Sequence, residues 1–167
     1  PLYTLCIEST EAHMNLTTII SDQGRYERAA TLDLETGLRA IRADMGLREK
    51  ELRSEVAPGL FVHTTSKRLR CFAKHGTTCS ACGAEASYFA IERTYSKKGG
   101  DGPSHMNMWG TVNGKDVIFT HDHTISRHNG GADALHNMTT MCGPCNWEKG
   151  RREYQPQGQQ GTQHEHY

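Results

Sequence analysis

His121, Asp122, His123 and His128 fall within eight positions of one stretch, FTHDHTISRHNGG, residues 119–131. Imidazoles beside a carboxylate can hold a metal or move a proton near neutral pH, since a free imidazole titrates at about 6.5. The same residues could equally line a polar loop. The rest of the chain decides between these readings, beginning with its cysteines.

Four of the six cysteines form two C-x-x-C pairs, Cys79/Cys82 (CSAC) and Cys142/Cys145 (CGPC). The turn inside each pair brings its two sulfurs toward one point. Two such turns complete a tetrahedral S₄ shell suited to structural Zn²⁺. A redox dithiol is the alternative for a single pair, and the presence of two argues against it. Cys6 and Cys71 have no partner at ligand spacing and read as small buried apolar residues. The pairs are separated by residues 83–141, far more than a simple zinc ribbon requires, and this span contains the histidine-rich stretch.

The elements that position these residues can be read from pattern. Asn113-Gly114 is a type I′ hairpin signal between strand-like flanks over 106–121. The second strand runs into Asp122 and His123. A glycine-containing loop follows, then an extended MTTM, the second C-x-x-C, and a helix through NWEKGRRE. Residues 65–76 (TSKRLRCFAKHG) read as a short basic helix with Leu69, Phe72 and Ala73 inward. Leu38, Ile41, Met45, Leu52 and Val56 share one helical face, which predicts a helix over 30–56 capped by Thr31 or Asp33 and ended by Ala57-Pro58-Gly59. Trp109 and Trp147 read as core residues.

Composition sets outer limits. A chain of 167 residues with 35% hydrophobic content and Gly 17 suits one domain with a small core and an added arm, which a structural metal would help to fold. No apolar run approaches the roughly 18 residues of a membrane span. No secretory signal is visible at the start of the sequence, so a soluble cytoplasmic protein with reduced thiols is expected. Net charge is zero but unevenly spread: residues 60–100 carry Lys67, Arg68, Arg70, Lys74, Arg93, Lys97 and Lys98 against Glu85 and Glu92. That segment could face a polyanion or simply water. The tail QPQGQQGTQHEHY is expected to be disordered, with His164 and His166 solvated.

If the last helix packs on the hairpin strand, Asp122 and Asn146 approach from two sides and supply two hard oxygens. Such oxygens with open positions suit Mg²⁺, Mn²⁺ or Ca²⁺, which keep waters and bind phosphate. A neighbouring imidazole would complete a phosphodiesterase site by taking a proton from water.

The ordered set C-x-x-C, Asp122-His123, Gly130-Gly131, Asn137, C-x-x-C-N-x-x-K-G resembles the HNH endonucleases of the ββα-metal, or His-Me finger, fold. It is most similar to their zinc-containing branch, often found in bacteriophages. The match spans 65–152, with its specific motifs in 79–82 and 122–149. The resemblance implies an α+β fold: a ββα-metal core stapled by a tetracysteine zinc, with an N-terminal helical arm and an inserted β-hairpin. It implies His123 as general base, Asn137 tying the loop that orients His123, and Asp122 and Asn146 holding a catalytic Mg²⁺ or Mn²⁺. Cys79, Cys82, Cys142 and Cys145 would hold structural Zn²⁺. Lys149, Arg151 and Arg152 would contact DNA phosphates, joined by the basic segment Lys67, Arg68, Arg70 and Lys74. His121 and His105 are candidates to support the site from behind, whereas His128 and His136 read as solvated. The family hydrolyses DNA phosphodiesters to 5′-phosphate and 3′-hydroxyl ends. Many members carry Pro where this chain has Ser126, a departure that touches only the loop. The organisation expected is a mostly helical arm over 1–59 serving specificity or dimerisation, a nuclease domain over 60–154 and a tail over 155–167. Double-strand cutting would favour a homodimer, and a phage-encoded protein would act in the host cytoplasm. The competing reading is a zinc-stabilised nucleic-acid-binding module without catalysis.

Overall fold

The computed structural model describes residues 17–21, 24–47, 53–94 and 104–153. Cys6, Leu52, residues 95–103 and residues 155–167, with the expectations placed on them, lie outside the described residues. Six antiparallel strands form the main sheet in the order β1-β2-β5-β6-β7-β8. They run β1 Thr17–Ser21, β2 Gly24–Asp33, β5 Ala86–Thr94, β6 His105–Val112, β7 Lys115–His123 and β8 Met138–Cys142. A separate two-stranded ribbon pairs β3, Ser54–Ala57, with β4, Leu60–Val62. Three α-helices, α1 Leu34–Ala43, α2 Lys67–His75 and α3 Gly143–Glu153, complete an α+β architecture among the described residues.

The β6–β7 hairpin forms where the sequence places it. Asn113 (φ 52°) and Gly114 (φ 75°) both take the left-handed conformation that a type I′ turn demands. The turn sets the register Val112↔Lys115 through Met108↔Phe119. Period-two alternation then sends Val117 and Phe119 into the main core, with Phe72 of α2 and Ile41 of α1, while Ile118 joins Ala90 and Trp109 in a second cluster. α3 packs on β7 and β8, and α2 packs on the same two strands. Strand, strand and helix thus come together as the ββα unit expected.

α2 matches expectation closely. Ser66 caps it, its hydroxyl accepting from Leu69 N, and Leu69 and Phe72 are buried. The helix expected over 30–56 is corrected. Only Leu34–Ala43 is helical, and Ser54–Ala57 is a strand. Asp33 is the cap, accepting from Thr36 N at 2.8 Å. The chain leaves the helix through a turn at 44–46 containing Gly46. Ile41 of α1 and Val56 of β3 therefore belong to the same core from different elements. The apolar spacing records burial correctly, but a spacing of three and four across a turn does not fix a single helix. Residues 17–33, which periodicity does not mark, contain two strands, and β2 pairs with β5 along 26–33. The segment read as a helical arm therefore supplies strands to the main sheet as well as α1. Gly37 explains how α1 lies so close to β5: a Cβ there would fall within 2.8 Å of several Phe89 ring atoms.

Candidate active site

β7 ends at His123, and the register continues to the last pair, Asp122↔Thr139 and His123↔Met138. The candidate residues therefore sit on hydrogen-bonded strand rather than on free loop. Alternation sends neighbours to opposite sides. His121 and His123 share a side, their rings edge-to-face at 5.9 Å. Asp122 reaches α3 instead, where the Lys149 ammonium donates to its carboxylate. The same ammonium donates to the His123 carbonyl at 2.5 Å.

Asn146 lies one helical turn before Lys149 on α3, so the two share a face. That face meets β7. The half-buried Asp122 carboxylate already holds a positive charge, and Asn146 is half-buried on the helix that supplies it. An anionic carboxylate oxygen on β7 and an amide side chain on the helix packed against it are the hard donor types that a divalent ion of the Mg²⁺ or Mn²⁺ kind takes. Lys149, expected to contact phosphate, is instead engaged with the candidate metal ligand.

The loop after His123 is tied by Asn137. This buried side chain accepts from Ile125 N and donates to the carbonyls of Ile125 and Ala132, each at 2.9 Å. Thr124 N donates to the Asn137 carbonyl at 2.9 Å. Gly131 is required by close approach: a Cβ there would lie within 2.6 Å of the Ile125 carbonyl carbon and closer still to its oxygen. These bonds tie the loop beyond His123 to Asn137, the residue expected to orient that imidazole.

His123 also has a partner that motif reading misses. Its Nε2 lies 3.2 Å from Asp133 Oδ1. Lys67 of α2 donates to the same carboxylate. Lys67 and His123 together hold the Asp133 carboxyl below the usual carboxylate range. Only the position of Asp133, shortly after Gly130-Gly131 and on the same loop as Asn137, could have signalled it. A cleft of about 480 Å³ opens on this side, lined among others by His63, Arg68, His105, His121, His123 and Asp133. Burial lowers the pKa of His121, and the charges of His123 and Arg68 lower it further. Burial likewise lowers that of His105, with Arg68, His63 and Arg53 adding to the effect. Both residues thus border the same cleft as His123. The Nδ1 of His121 is buried without a hydrogen-bond partner.

The four cysteines converge. Their sulfurs all lie within 4.8 Å of one another, which is the geometry of a tetrahedral zinc shell. Burial works against the charged form of Cys79, yet the backbone N–H groups of Cys142, Cys82 and Ala81 outweigh it and bring the thiol down to about 7. Burial pushes Cys145 up to about 11 and raises Cys142 as well. Cys71 is fully buried and outside the cluster, as expected of a core thiol.

The remaining basic candidates divide. Arg68 donates to Asn107 Oδ1 at 2.7 Å and Arg70 to the Leu47 carbonyl, so both serve the fold. Asn107 and Trp109 in turn donate to buried Glu92, which Arg28 also engages. Lys74 is exposed. Arg151 and Arg152 pair with exposed Glu148 at 3.6 and 4.0 Å, contacts that hold them weakly. Trp109 is fully buried, but Trp147 is corrected from core to surface: it is 66% exposed, with the Arg151 guanidinium 4.9 Å from its ring centroid.

Among the described residues no helix is long and apolar enough to cross a membrane. No curated protein and no solved structure matches the chain. Residues 111–152 match the family model described as HNH endonuclease.

Proposed function

From the match of residues 111–152 to the HNH endonuclease family model, we propose that the protein is a metal-dependent endonuclease that hydrolyses DNA phosphodiester bonds. The observation that carries this reading is the end of β7. There Asp122 meets the α3 face bearing Asn146 and Lys149, His123 follows it, and Asn137 clamps the loop beyond. A pure binding module has no need of a carboxylate, an imidazole and a clamped loop at one strand end.

His123 takes the proton of the attacking water, a task suited to an imidazole at neutral pH. Asp122 and Asn146 would hold one Mg²⁺ or Mn²⁺, which supplies positive charge to the phosphate and to the leaving oxygen. Cys79, Cys82, Cys142 and Cys145 hold Zn²⁺ as a structural staple. That staple fixes the start of α3, because Cys145 immediately precedes Asn146. Lys74, Arg151 and Arg152, on the exposed faces of α2 and α3, are free to meet the DNA backbone without dismantling the core. Residues 1–59 serve specificity or dimerisation, and the protein acts in the cytoplasm.

The test is cleavage of supercoiled plasmid with Mg²⁺ or Mn²⁺, beside EDTA and His123→Ala controls. Nicked or linear product that needs both the metal and His123 is expected. DNA binding without product in any metal, on plasmid, linear and branched substrates, would overturn catalysis and leave a zinc-stabilised binding module.

A further inference from the structure

We infer that Asp133 is the positioning residue for His123, holding its ring by one nitrogen so that the other is left as the base. This rests on the nuclease reading above and adds to it a side chain outside the Asp-His, Asn and cysteine motifs. The geometry is specific. A carboxylate without its proton can only accept, so the contact of 3.2 Å between His123 Nε2 and Asp133 Oδ1 requires Nε2 to carry the hydrogen. A neutral imidazole carries one ring proton. The proton on Nε2 therefore leaves the lone pair on Nδ1, and Nδ1 is the nitrogen that accepts from water.

Two further contacts keep Asp133 in that role. Lys67 donates to its Oδ2, which leaves Oδ1 for the imidazole. The ammonium of Lys67 also reaches toward the Asp133 backbone carbonyl, at 3.4 Å. Asn137 donates to the carbonyl of Ala132, immediately before Asp133, and so anchors the backbone from which the carboxylate extends. Asp133 is thus held from α2 on one side and from the clamped loop on the other. His121 stands against the His123 ring at 5.9 Å and limits its rotation from the strand side. The orientation of the base is in this way tied to α2, an element outside residues 111–152. Asp133 touches no reacting atom in this scheme and acts only through His123.

The decisive measurement does not depend on cleavage. In zinc-loaded full-length protein labelled with ¹⁵N-histidine, long-range ¹H–¹⁵N correlations report the tautomer of each neutral ring. Recording at about pH 8.5 keeps an ordinary imidazole neutral, and the His123→Ala spectrum identifies the His123 signals. The parent protein is expected to show His123 as the Nε2–H tautomer. Asp133→Ala is expected to give a mixture of tautomers. On plasmid, Asp133→Ala should lower kcat about 10-fold to 100-fold with KM within about twofold, the scale of losing a group that orients a functional imidazole. Asp133→Glu, which restores a carboxylate on an exposed loop, should recover part of the rate. An Nδ1–H tautomer in the parent, or an unchanged tautomer in Asp133→Ala, would overturn the assignment. So would a rise in KM at unchanged kcat, which would mark Asp133 as part of the DNA-binding surface. If the parent cleaves no DNA the nuclease reading fails, and the tautomer comparison still decides whether Asp133 sets the ring.

Discussion

The loop that follows His123 offers a double-mutant cycle whose outcome can be worked from its contacts. Asn137 makes three side-chain hydrogen bonds, to Ile125 N, Ile125 O and Ala132 O. At about 1 kcal/mol net each, Asn137→Ala should cost about 3 kcal/mol. Gly131→Ala acts on the same structure from the other side. The new Cβ would collide with the Ile125 carbonyl, a backbone group that cannot rotate away like a flexible side chain. Relief of that collision must move Ile125, and two of the three Asn137 bonds go to Ile125. Gly131→Ala should therefore cost at least about 2 kcal/mol. Those two bonds cannot be lost twice, so the double variant should fall about 2 kcal/mol short of the sum. The assay is urea unfolding of zinc-replete protein, with zinc content measured for each variant. Plasmid cleavage should fall in both single variants, because the same loop carries Asp133. A coupling energy below about 0.5 kcal/mol, the scatter of independent sites, would refute the argument that Gly131 and Asn137 hold one another through Ile125.

Cys142→Ser should abolish cooperative unfolding and stoichiometric zinc, because zinc binding of about 10–16 kcal/mol in small zinc modules matches or exceeds the whole stability of a domain; a well-folded variant with normal zinc would contradict the structural role. Zinc affinity should fall as pH falls, since Cys145, raised to about 11, and Cys142, also raised, must lose protons to bind; competition with a chelator across pH measures this. Lys149→Met should tighten Mn²⁺ binding in calorimetry, because the ammonium and the metal compete for the Asp122 carboxylate; weaker binding would mean that Lys149 supports the ligand rather than occupying it. His105 has its pKa depressed by burial below the ordinary 6.5, so its contribution to stability is full above that value and declines as pH falls below it; His105→Asn should flatten thermal stability over that acidic range. Lys74→Ala should reduce the slope of log DNA affinity against log salt by about 1, as one phosphate contact is lost; an unchanged slope would remove Lys74 from the interface.

The parts of this molecule that the sequence announces are those held by local chemistry. Asn113-Gly114 can form little else than a tight hairpin turn, and two C-x-x-C turns can close one S₄ shell whatever lies between them. The apolar positions Leu69, Phe72 and Ala73 likewise state the short helix α2. Asp122, His123 and Asn137 are legible through the order and spacing of the motif, and the structure gives each a physical setting. What stays hidden depends on distant partners. β2 pairs with β5 across separations that run from Asp33↔Tyr88 to Tyr26↔Thr94, and nothing within Gly24–Asp33 signals that pairing, so these strands go unmarked. Leu38, Ile41, Met45 and Val56 do share a core, but a turn and a strand intervene where spacing alone suggests one helix. Asp133 is a single acidic residue in a polar loop, and only Lys67 and His123, 66 and 10 residues away, give it meaning. Trp147 is misplaced by pattern because large apolar side chains are usually buried, and its pairing with Arg151 on an open helix face leaves no mark in the sequence.

The sulfur cluster also bears on the time at which the protein matures. Cys82 and Cys142 are 60 residues apart, yet their sulfurs lie 3.8 Å from one another. In equilibrium terms the long span costs little, because each doubling of a loop adds only about 0.6 kcal/mol. During synthesis the cost is a delay. A ribosome adds about 5–20 residues per second, so the first C-x-x-C emerges several seconds before the second can join it. Until Cys145 appears, neither the full sulfur cluster nor the start of α3 is in place, and Asp122 has no Lys149 to meet. In a nascent chain of this design Asp122 and His123 are made before α3, the helix whose Lys149 meets them, and before the last two cysteines of the cluster.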